Sequence, residues 1–226
     1  MIRVHILVEG DTEESFVNRI LAPHFARTNI VTTVNRVTTK TDYRSGRVYR
    51  GGLSTFGKVE NELTKLLNED DSRYVTTMFD LYAIPNDFPH YSIAMNEQNG
   101  SAKAITIERG LISHFDNRRF IPYIQTHEFE SLLFSDVNRI DDCLNILHEV
   151  SNSNLQQVRD EFNTPEDIND NPDTAPSKRI KNMYEGYDKV TDGVMIAEDI
   201  GIEGMRNECQ HFNDWVTEIE NLKPIS

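Results

Sequence analysis

Two acidic residues stand where predicted strands end, and both are suited to metal-dependent chemistry. Glu9 follows the apolar run 2–8, and Asp80 follows the run 74–79. In open α/β sheets, sites form outside the carboxyl ends of parallel strands, so we expect both carboxylates in one crevice. Neighbouring carboxylates repel each other unless a cation or a proton lies between them. The pattern predicts a divalent-metal site, and the alternative is a solvated strand end or a helix cap.

Further oxygen donors lie close to these positions in the sequence. Glu13 is one helical turn beyond Glu9 and is a candidate third ligand, although an acid there also suits the dipole of the following helix. The sequence HEFE begins at His127, directly after another predicted strand. Glu128 and Glu130 are candidate metal ligands, and His127 is a candidate general base or phosphate contact. The alternative for this segment is a helix start whose acids match the dipole.

Basic side chains form two clusters that could contact nucleic acid. The segment 40–52 interleaves arginines with tyrosines, which suits backbone neutralisation and base stacking, but its arginines could equally pair with acids of the protein itself. A second cluster begins at residue 178, where solvation of a helix surface is the alternative. Lys189 is another residue that could steady a scissile phosphate. The candidate nucleic-acid contacts are Arg44, Arg47, Arg50, Lys178 and Arg179.

Composition narrows the class of protein. The chain has 226 residues and a formal net charge of −14, which argues against attraction of the whole surface to nucleic acid. Cys143 and Cys209 are too few and too far apart for a disulfide framework, so we expect reduced thiols. No apolar run reaches the roughly 18 residues of a membrane span. We expect a soluble, cytoplasmic protein that makes no membrane contact.

The elements that position these residues alternate between strand and helix as far as residue 136. Strands are predicted over 2–8, 30–38, 74–79 and 120–125, with an exposed loop or hairpin over 40–52 and a connection over 84–100. Pro122 indicates an edge position for the last of these strands, and a helix is predicted over 202–222. This alternation is typical of βαβ units, so we predict an α/β fold with a mainly parallel central sheet. Residues 1–136 would form this α/β domain, and residues 137–226 a helical extension packed on it. The predicted cap of the first helix is Asp11 or Thr12, with Glu14 completing a capping box.

The motif VEGDTEE after a strand, together with an acid that ends a later strand, resembles the Toprim fold of topoisomerases, primases and OLD-family nucleases. In that fold a glutamate after the first strand and an Asp-x-Asp pair after the third bind magnesium. Glu9 matches the glutamate, Asp80 the first aspartate, and Glu13 the second glutamate of the OLD-family pattern. Tyr82 departs from the pattern, because it stands where the second aspartate would be.

Nearly the whole chain also resembles the bacterial domain-of-unknown-function family 4276, a Toprim-like group. The matching segments are VEGDTEESFV, MFDLYAIP, PYIQTHEFESLLF, APSKRI and CQHFNDW. The resemblance implies a role beside an ATPase of the ABC/SMC type, in defence against phages or other mobile DNA. It does not imply a particular biochemical activity.

The leading hypothesis is a nuclease that hydrolyses DNA or RNA with Mg²⁺ or Mn²⁺, since oxygen ligands suit both ions. The main alternative is a non-catalytic, degenerate Toprim module that binds an ATPase or nucleic acid, which the tyrosine at position 82 favours. A phosphorylation switch of the receiver type is a third hypothesis. It is weaker, because receivers usually have two adjacent acids after the first strand, whereas here Gly10 follows Glu9.

Overall fold

A mainly parallel sheet lies at the centre of the molecule. The structure is a computed structural model and describes residues 1–42, 47–50, 52–148, 154–169 and 172–225. The strands are β1 (Ile2–Val8), β2 (Ile30–Arg36), β3 (Thr38–Asp42), β4 (Arg47–Arg50), β5 (Tyr74–Asp80), β6 (Phe120–Ile121) and β7 (Ile124–Gln125). The order is β2-β1-β5-β6 with β7 also on β5, and every pairing in this sheet is parallel. The α/β fold with a parallel sheet is confirmed.

Helices cover both faces of the sheet. They are α1 (Asp11–Phe16), α2 (Ala22–Ala26), α3 (Phe56–Glu69), α4 (Tyr91–Ala94), α5 (Gly100–Phe115), α6 (Val137–His148), α7 (Leu155–Asp160), α8 (Pro176–Met183), α9 (Val194–Glu208) and α10 (Gln210–Glu220). A π-helical turn, Val17–Leu21, joins α1 to α2, and another, Lys189–Gly193, precedes α9. None of the helices in the described ranges is long and apolar enough to cross a membrane.

The two faces of β1 enter two separate hydrophobic clusters because successive strand residues point to opposite sides. Ile6 packs with Phe16 and with apolar residues of α6, α9 and α10. Leu7 packs with α3 and α5 through residues such as Leu63 and Ile107. Burial on both faces accounts for the nearly continuous apolar sequence of the strand.

The C-terminal helices pack directly on the sheet. The indole nitrogen of Trp215 in α10 donates to Thr76 Oγ1 of β5 at 2.9 Å. The ring of Trp215 also stacks on Tyr123, with centroids 4.2 Å apart and an angle of 9° between the planes. One hydrophobic cluster therefore contains residues from both sides of position 137.

The edge of the sheet is interrupted at Pro122, as its missing N–H group requires. Here the hydroxyl of Thr77 accepts from the amide of Tyr123 at 3.0 Å and donates to the carbonyl of the same residue at 2.9 Å. The ladder then resumes, with Gln125 opposite Asp80 in parallel register. This register places the HEFE segment at the carboxyl end of β5.

Three local predictions need correction. The N-cap of α1 is Gly10, and the carboxylate that closes on its amide, at 2.8 Å, belongs to Glu13 rather than Glu14. The helix predicted over 202–222 ends before Cys209, which has an extended backbone, and restarts as α10. The connection 84–100 contains the single-turn helix α4. An antiparallel hairpin, β3–β4, is present where the sequence predicts a loop or hairpin over 40–52, but it begins two residues earlier, at Thr38. Both cysteines are free thiols.

Candidate metal centre

Glu9 and Asp80 lie at the carboxyl ends of adjacent parallel strands. Val8 is opposite Met78 in the register of β1 and β5, so Glu9 lies one residue and Asp80 two residues beyond this pair. Glu9 Oε2 and Asp80 Oδ1 are buried, and neither accepts a hydrogen bond from any described residue. A buried carboxylate oxygen without a donor is costly, so a cation or a proton is needed here.

The surrounding charges strengthen this requirement. Burial raises the pKa of Asp80 well above its ordinary value, and the carboxylates of Glu13, Glu9, Glu128 and Glu130 raise it further, in that order. Burial and the neighbouring Glu13 raise the pKa of Glu9 to about 7. The five acids therefore form one electrostatic cluster, as the sequence predicts for Glu9 and Asp80.

Glu13 is buried in this cluster but faces the helix start. Its carboxylate accepts from the amide of Gly10 at 2.8 Å, which satisfies one unpaired amide at the beginning of α1. Burial raises the pKa of Glu13, although backbone hydrogen bonds oppose the increase. Glu13 therefore binds the helix start, as an acid suited to the dipole would, and also lies within the acidic cluster; its role as a metal ligand stays a prediction.

Glu128 and Glu130 are held by a lysine from the C-terminal half of the chain. Lys189 Nζ lies 3.0 Å from Glu128 Oε2 and 3.1 Å from Glu130 Oε1. Burial and Glu128 raise the pKa of Glu130 to about 7, although Lys189 lowers it. Burial disfavours the charged ammonium, but Glu130 and Glu128 outweigh this effect and raise the pKa of Lys189. Two opposite charges therefore stabilise the ammonium in a half-buried position.

Two other contacts to these glutamates are absent from the sequence prediction. The amide of Ser177 donates to Glu128 Oε1 at 2.7 Å, and the hydroxyl of Tyr187 donates to Glu130 Oε1 at 3.5 Å. These partners are 49 and 57 residues away from the glutamates that they contact. No periodic pattern in the sequence indicates contacts across such separations.

His127 lies beside the acids with a left-handed backbone, at φ 59°. This conformation is uncommon for a residue other than glycine and occurs often at functional sites. The imidazole packs over Gly100 at the start of α5, where a Cβ atom would lie 2.6 Å from Nε2. The Tyr82 amide donates to the His127 carbonyl at 3.1 Å, and the side chain of Asn169 bonds the Tyr82 hydroxyl. Tyr82 and Asn169 thus form a polar border to this side of the site.

The hairpin β3–β4 begins and ends next to Glu9. The Val37 amide donates to the Val8 carbonyl at 2.9 Å, and the Gly52 amide donates to the Glu9 carbonyl at 3.2 Å. Gly52 has φ +78°, which suits glycine at this return. The base of the hairpin is therefore fixed at the carboxyl edge of the sheet.

The candidate nucleic-acid contacts lie on different elements of the fold and differ in their surroundings. Arg47 and Arg50 lie on β4, and Arg44 lies outside the described residues. Lys178 is exposed on α8, one residue after the amide that binds Glu128. Arg179 Nε donates to the Thr174 carbonyl at 2.7 Å, and its guanidinium lies 5.7 Å from the centre of the Phe162 ring. Arg179 thus contacts its own protein.

A complete ligand set is not preassembled in the described ranges. No three Asp, Glu, His or Cys side chains there are arranged closely enough to hold a metal ion. Glu9 and Asp80 nevertheless provide two hard oxygen donors that are not used by hydrogen bonds. Mg²⁺ is usually bound through one or two carboxylates together with water and substrate phosphates. The available donors fit that mode better than an enclosed, all-protein site.

Comparison with known families agrees with the sequence resemblance. The model of the family described as domain of unknown function (DUF4276) matches residues 8–220. The chain belongs to this family. No match was found among curated protein sequences.

Two solved structures are similar to this chain over nearly their full lengths. One is the C-terminal region of the Burkholderia pseudomallei OLD protein, with 15% identity, a TM-score of 0.44, and coverage of 96% of this chain and 99% of the other. The other is the C-terminal region of the Xanthomonas campestris pv. campestris OLD protein, with 14% identity, a TM-score of 0.40, and coverage of 96% and 98%.

Proposed function

We propose that the protein is a divalent-metal-dependent nuclease that hydrolyses phosphodiester bonds of DNA or RNA. The observation that carries this proposal is a pair of buried oxygens at adjacent strand ends, Glu9 Oε2 and Asp80 Oδ1, to which no residue of the described ranges donates a hydrogen bond. An acidic cluster of this kind repels phosphate by itself, so a nuclease reaction here requires a bound cation.

Mg²⁺ or Mn²⁺ would be held by Glu9 and Asp80, with Glu13 as a neighbouring carboxylate. When bound, such an ion lowers the pKa of a coordinated water and neutralises charge on a phosphate. Carboxylate oxygens suit both ions.

The residues around the cluster would provide positioning and proton transfer. His127 is next in sequence to Glu128, its imidazole packs over Gly100, and histidine is a common general base or acid in catalysis. Lys189 carries a positive charge at the partly exposed side of the glutamates. The hairpin β3–β4 places Arg47 and Arg50 on a strand whose return contacts Glu9, which suits contact with a nucleic-acid backbone.

The test is cleavage of labelled single- and double-stranded DNA and of tRNA, with Mg²⁺ or Mn²⁺ and then with EDTA. We expect cleavage that depends on the ion and that is lost in Glu9→Gln and Asp80→Asn. Glu185→Gln is the matched control, because Glu185 is exposed and the same charge is removed. Undiminished metal-dependent cleavage by either site variant would refute the assignment.

A non-catalytic binding module is the second candidate, favoured by one observation. Tyr82, in the place of the second Toprim aspartate, is 41% exposed and its hydroxyl is bonded by Asn169. If the protein is such a binding module, it retains nucleic acid in a binding assay but cleaves no substrate with Mg²⁺ or with Mn²⁺. Substitution of Tyr82 by Ala then weakens binding, because an exposed aromatic ring can stack on a base.

We further propose that the protein acts with an ATPase of the ABC/SMC type in defence against phages or mobile DNA. The support is the family resemblance carried by the motifs around Glu9 and His127. Cleavage measured with and without a purified ATPase of the ABC/SMC type tests this pairing. A phage challenge of cells that carry wild-type protein or Asp80→Asn tests the role in defence.

A further inference from the structure

Lys189 occupies the position between two candidate metal ligands. Its ammonium lies 3.0 Å from Glu128 Oε2 and 3.1 Å from both Glu130 Oε1 and Oε2. The side chains of Glu128 and Glu130 are only 9% and 1% exposed, whereas that of Lys189 is 36% exposed. The lysine therefore closes the glutamate pair from the solvent side.

The remaining oxygen of the pair is also engaged. Glu128 Oε1 accepts from the Ser177 amide at 2.7 Å, and the Tyr187 hydroxyl supplies a long contact of 3.5 Å to Glu130. Gly193 is required for this arrangement, because a Cβ there would lie 2.6 Å from the Tyr187 hydroxyl oxygen. Every carboxylate oxygen of the pair thus has a partner.

The other two acids have the opposite environment. Glu9 Oε2 and Asp80 Oδ1 are buried and accept no hydrogen bond from the described residues. A divalent ion on the Glu128–Glu130 pair would have to share its oxygens with the adjacent ammonium, and the two cations would repel each other. Among the described residues, no ammonium contacts Glu9 Oε2 or Asp80 Oδ1, and the charge of Lys189 acts on these two carboxylates only from a longer distance.

We propose that Lys189 takes the place of a second metal ion, so that the site binds one divalent ion, at Glu9 and Asp80. In this arrangement the ammonium neutralises Glu128 and Glu130 permanently, and the pair orients Lys189 instead of coordinating metal. The inference deepens the proposed function and rests on it for the nature of the site. It concerns only how many ions bind and where, so binding can test it without cleavage.

The experiment is a titration of the full-length protein with Mn²⁺, followed by calorimetry and by electron paramagnetic resonance of the free ion. We expect one Mn²⁺ for each wild-type chain, and one for Lys189→Arg, which keeps the charge. We expect two for Lys189→Met, because this change keeps the length of the side chain and releases the glutamate pair. Two ions on the wild type, none on the wild type, or one on folded Lys189→Met would each overturn the proposal.

Ligand variants keep the test decisive if Lys189→Met fails to fold. Glu128→Gln and Glu130→Gln should leave the Mn²⁺ dissociation constant of the wild type nearly unchanged. Asp80→Asn should weaken binding by at least about a hundredfold, since loss of even an outer-shell partner costs about ten- to a hundredfold. If either glutamine variant lost as much Mn²⁺ affinity as Asp80→Asn does, the proposal would be contradicted. One bound Mn²⁺ without cleavage of any substrate would support it while refuting the nuclease function.

Discussion

Neutralising Glu9 should stabilise the metal-free protein at alkaline pH while removing its response to metal. Burial and Glu13 raise the pKa of Glu9 to about 7 in the folded protein, from an ordinary value of 4.5. The folded state therefore binds this proton more tightly than the unfolded state does. Ionisation of Glu9 costs no stability below about pH 4.5, costs progressively more between the two values, and reaches its full cost above about pH 7.

The size of the effect follows from the same two values. The difference between 4.5 and about 7 corresponds to roughly 3 kcal/mol, at about 1.36 kcal/mol for each pKa unit. Glu9→Gln keeps the shape of the side chain and removes the charge. We therefore expect the free energy of unfolding of the metal-free variant to exceed that of the wild type by up to about 3 kcal/mol at pH 8. At pH 4 the two proteins should have equal stability.

The assay is urea unfolding in EDTA, followed by the fluorescence of Trp215, with wild type and variant compared at each pH. The comparison cancels the titration of the many carboxylates that both proteins share. Saturation with Mg²⁺ at a hundredfold excess over its dissociation constant should then stabilise the wild type by about 2.7 kcal/mol and the variant by much less. Glu185→Gln, on the exposed surface, should follow the wild type throughout.

A Glu9→Gln variant that was less stable than the wild type at pH 8, and that Mg²⁺ stabilised as much as the wild type, would contradict a cation-binding role for Glu9. That result would mean that Glu9 Oε2 has a protein donor in solution and is not held for a cation. A gain in stability that was the same at pH 4 and pH 8 would point to packing rather than charge.

Three further predictions concern residues that support the site. Arg119→Ala should lower the free energy of unfolding by about 2–3 kcal/mol, because the buried guanidinium donates to three backbone carbonyls at and beyond the end of α3. Urea unfolding measures this, and equal urea midpoints for variant and wild type would contradict it. Glu166→Ala should cost about 1–2 kcal/mol, since its carboxylate accepts from two amides at the start of α10, and a shift of the melting temperature checks it. Gly100→Ala should change stability little but displace the His127 imidazole, because the added Cβ would lie 2.6 Å from its Nε2 atom. An unchanged imidazole resonance in the NMR spectrum would show that no displacement occurs.

Patterns of local sequence were sufficient for most elements of the fold. The apolar runs that end at Glu9 and Asp80 predicted β1 and β5 because buried parallel strands are nearly uniformly apolar. Pro122 indicated an edge strand because it lacks an amide donor. The prediction was wrong where two local solutions compete: at the first helix the Gly10 cap was chosen over Asp11, and no sequence signal marked the break at Cys209.

The sequence by itself determined that acids end two parallel strands, and hence that carboxylates meet at one edge of the sheet. Only the tertiary structure decided which of those acids retain oxygens without donors. Glu128 and Glu130 acquire Lys189 and the Ser177 amide from segments about 50 to 60 residues away. Glu9 and Asp80 each keep one oxygen to which no residue in the described part of the chain donates. Strand ends follow from local hydrophobicity, but neutralisation of a buried charge depends on which distant segment packs against it.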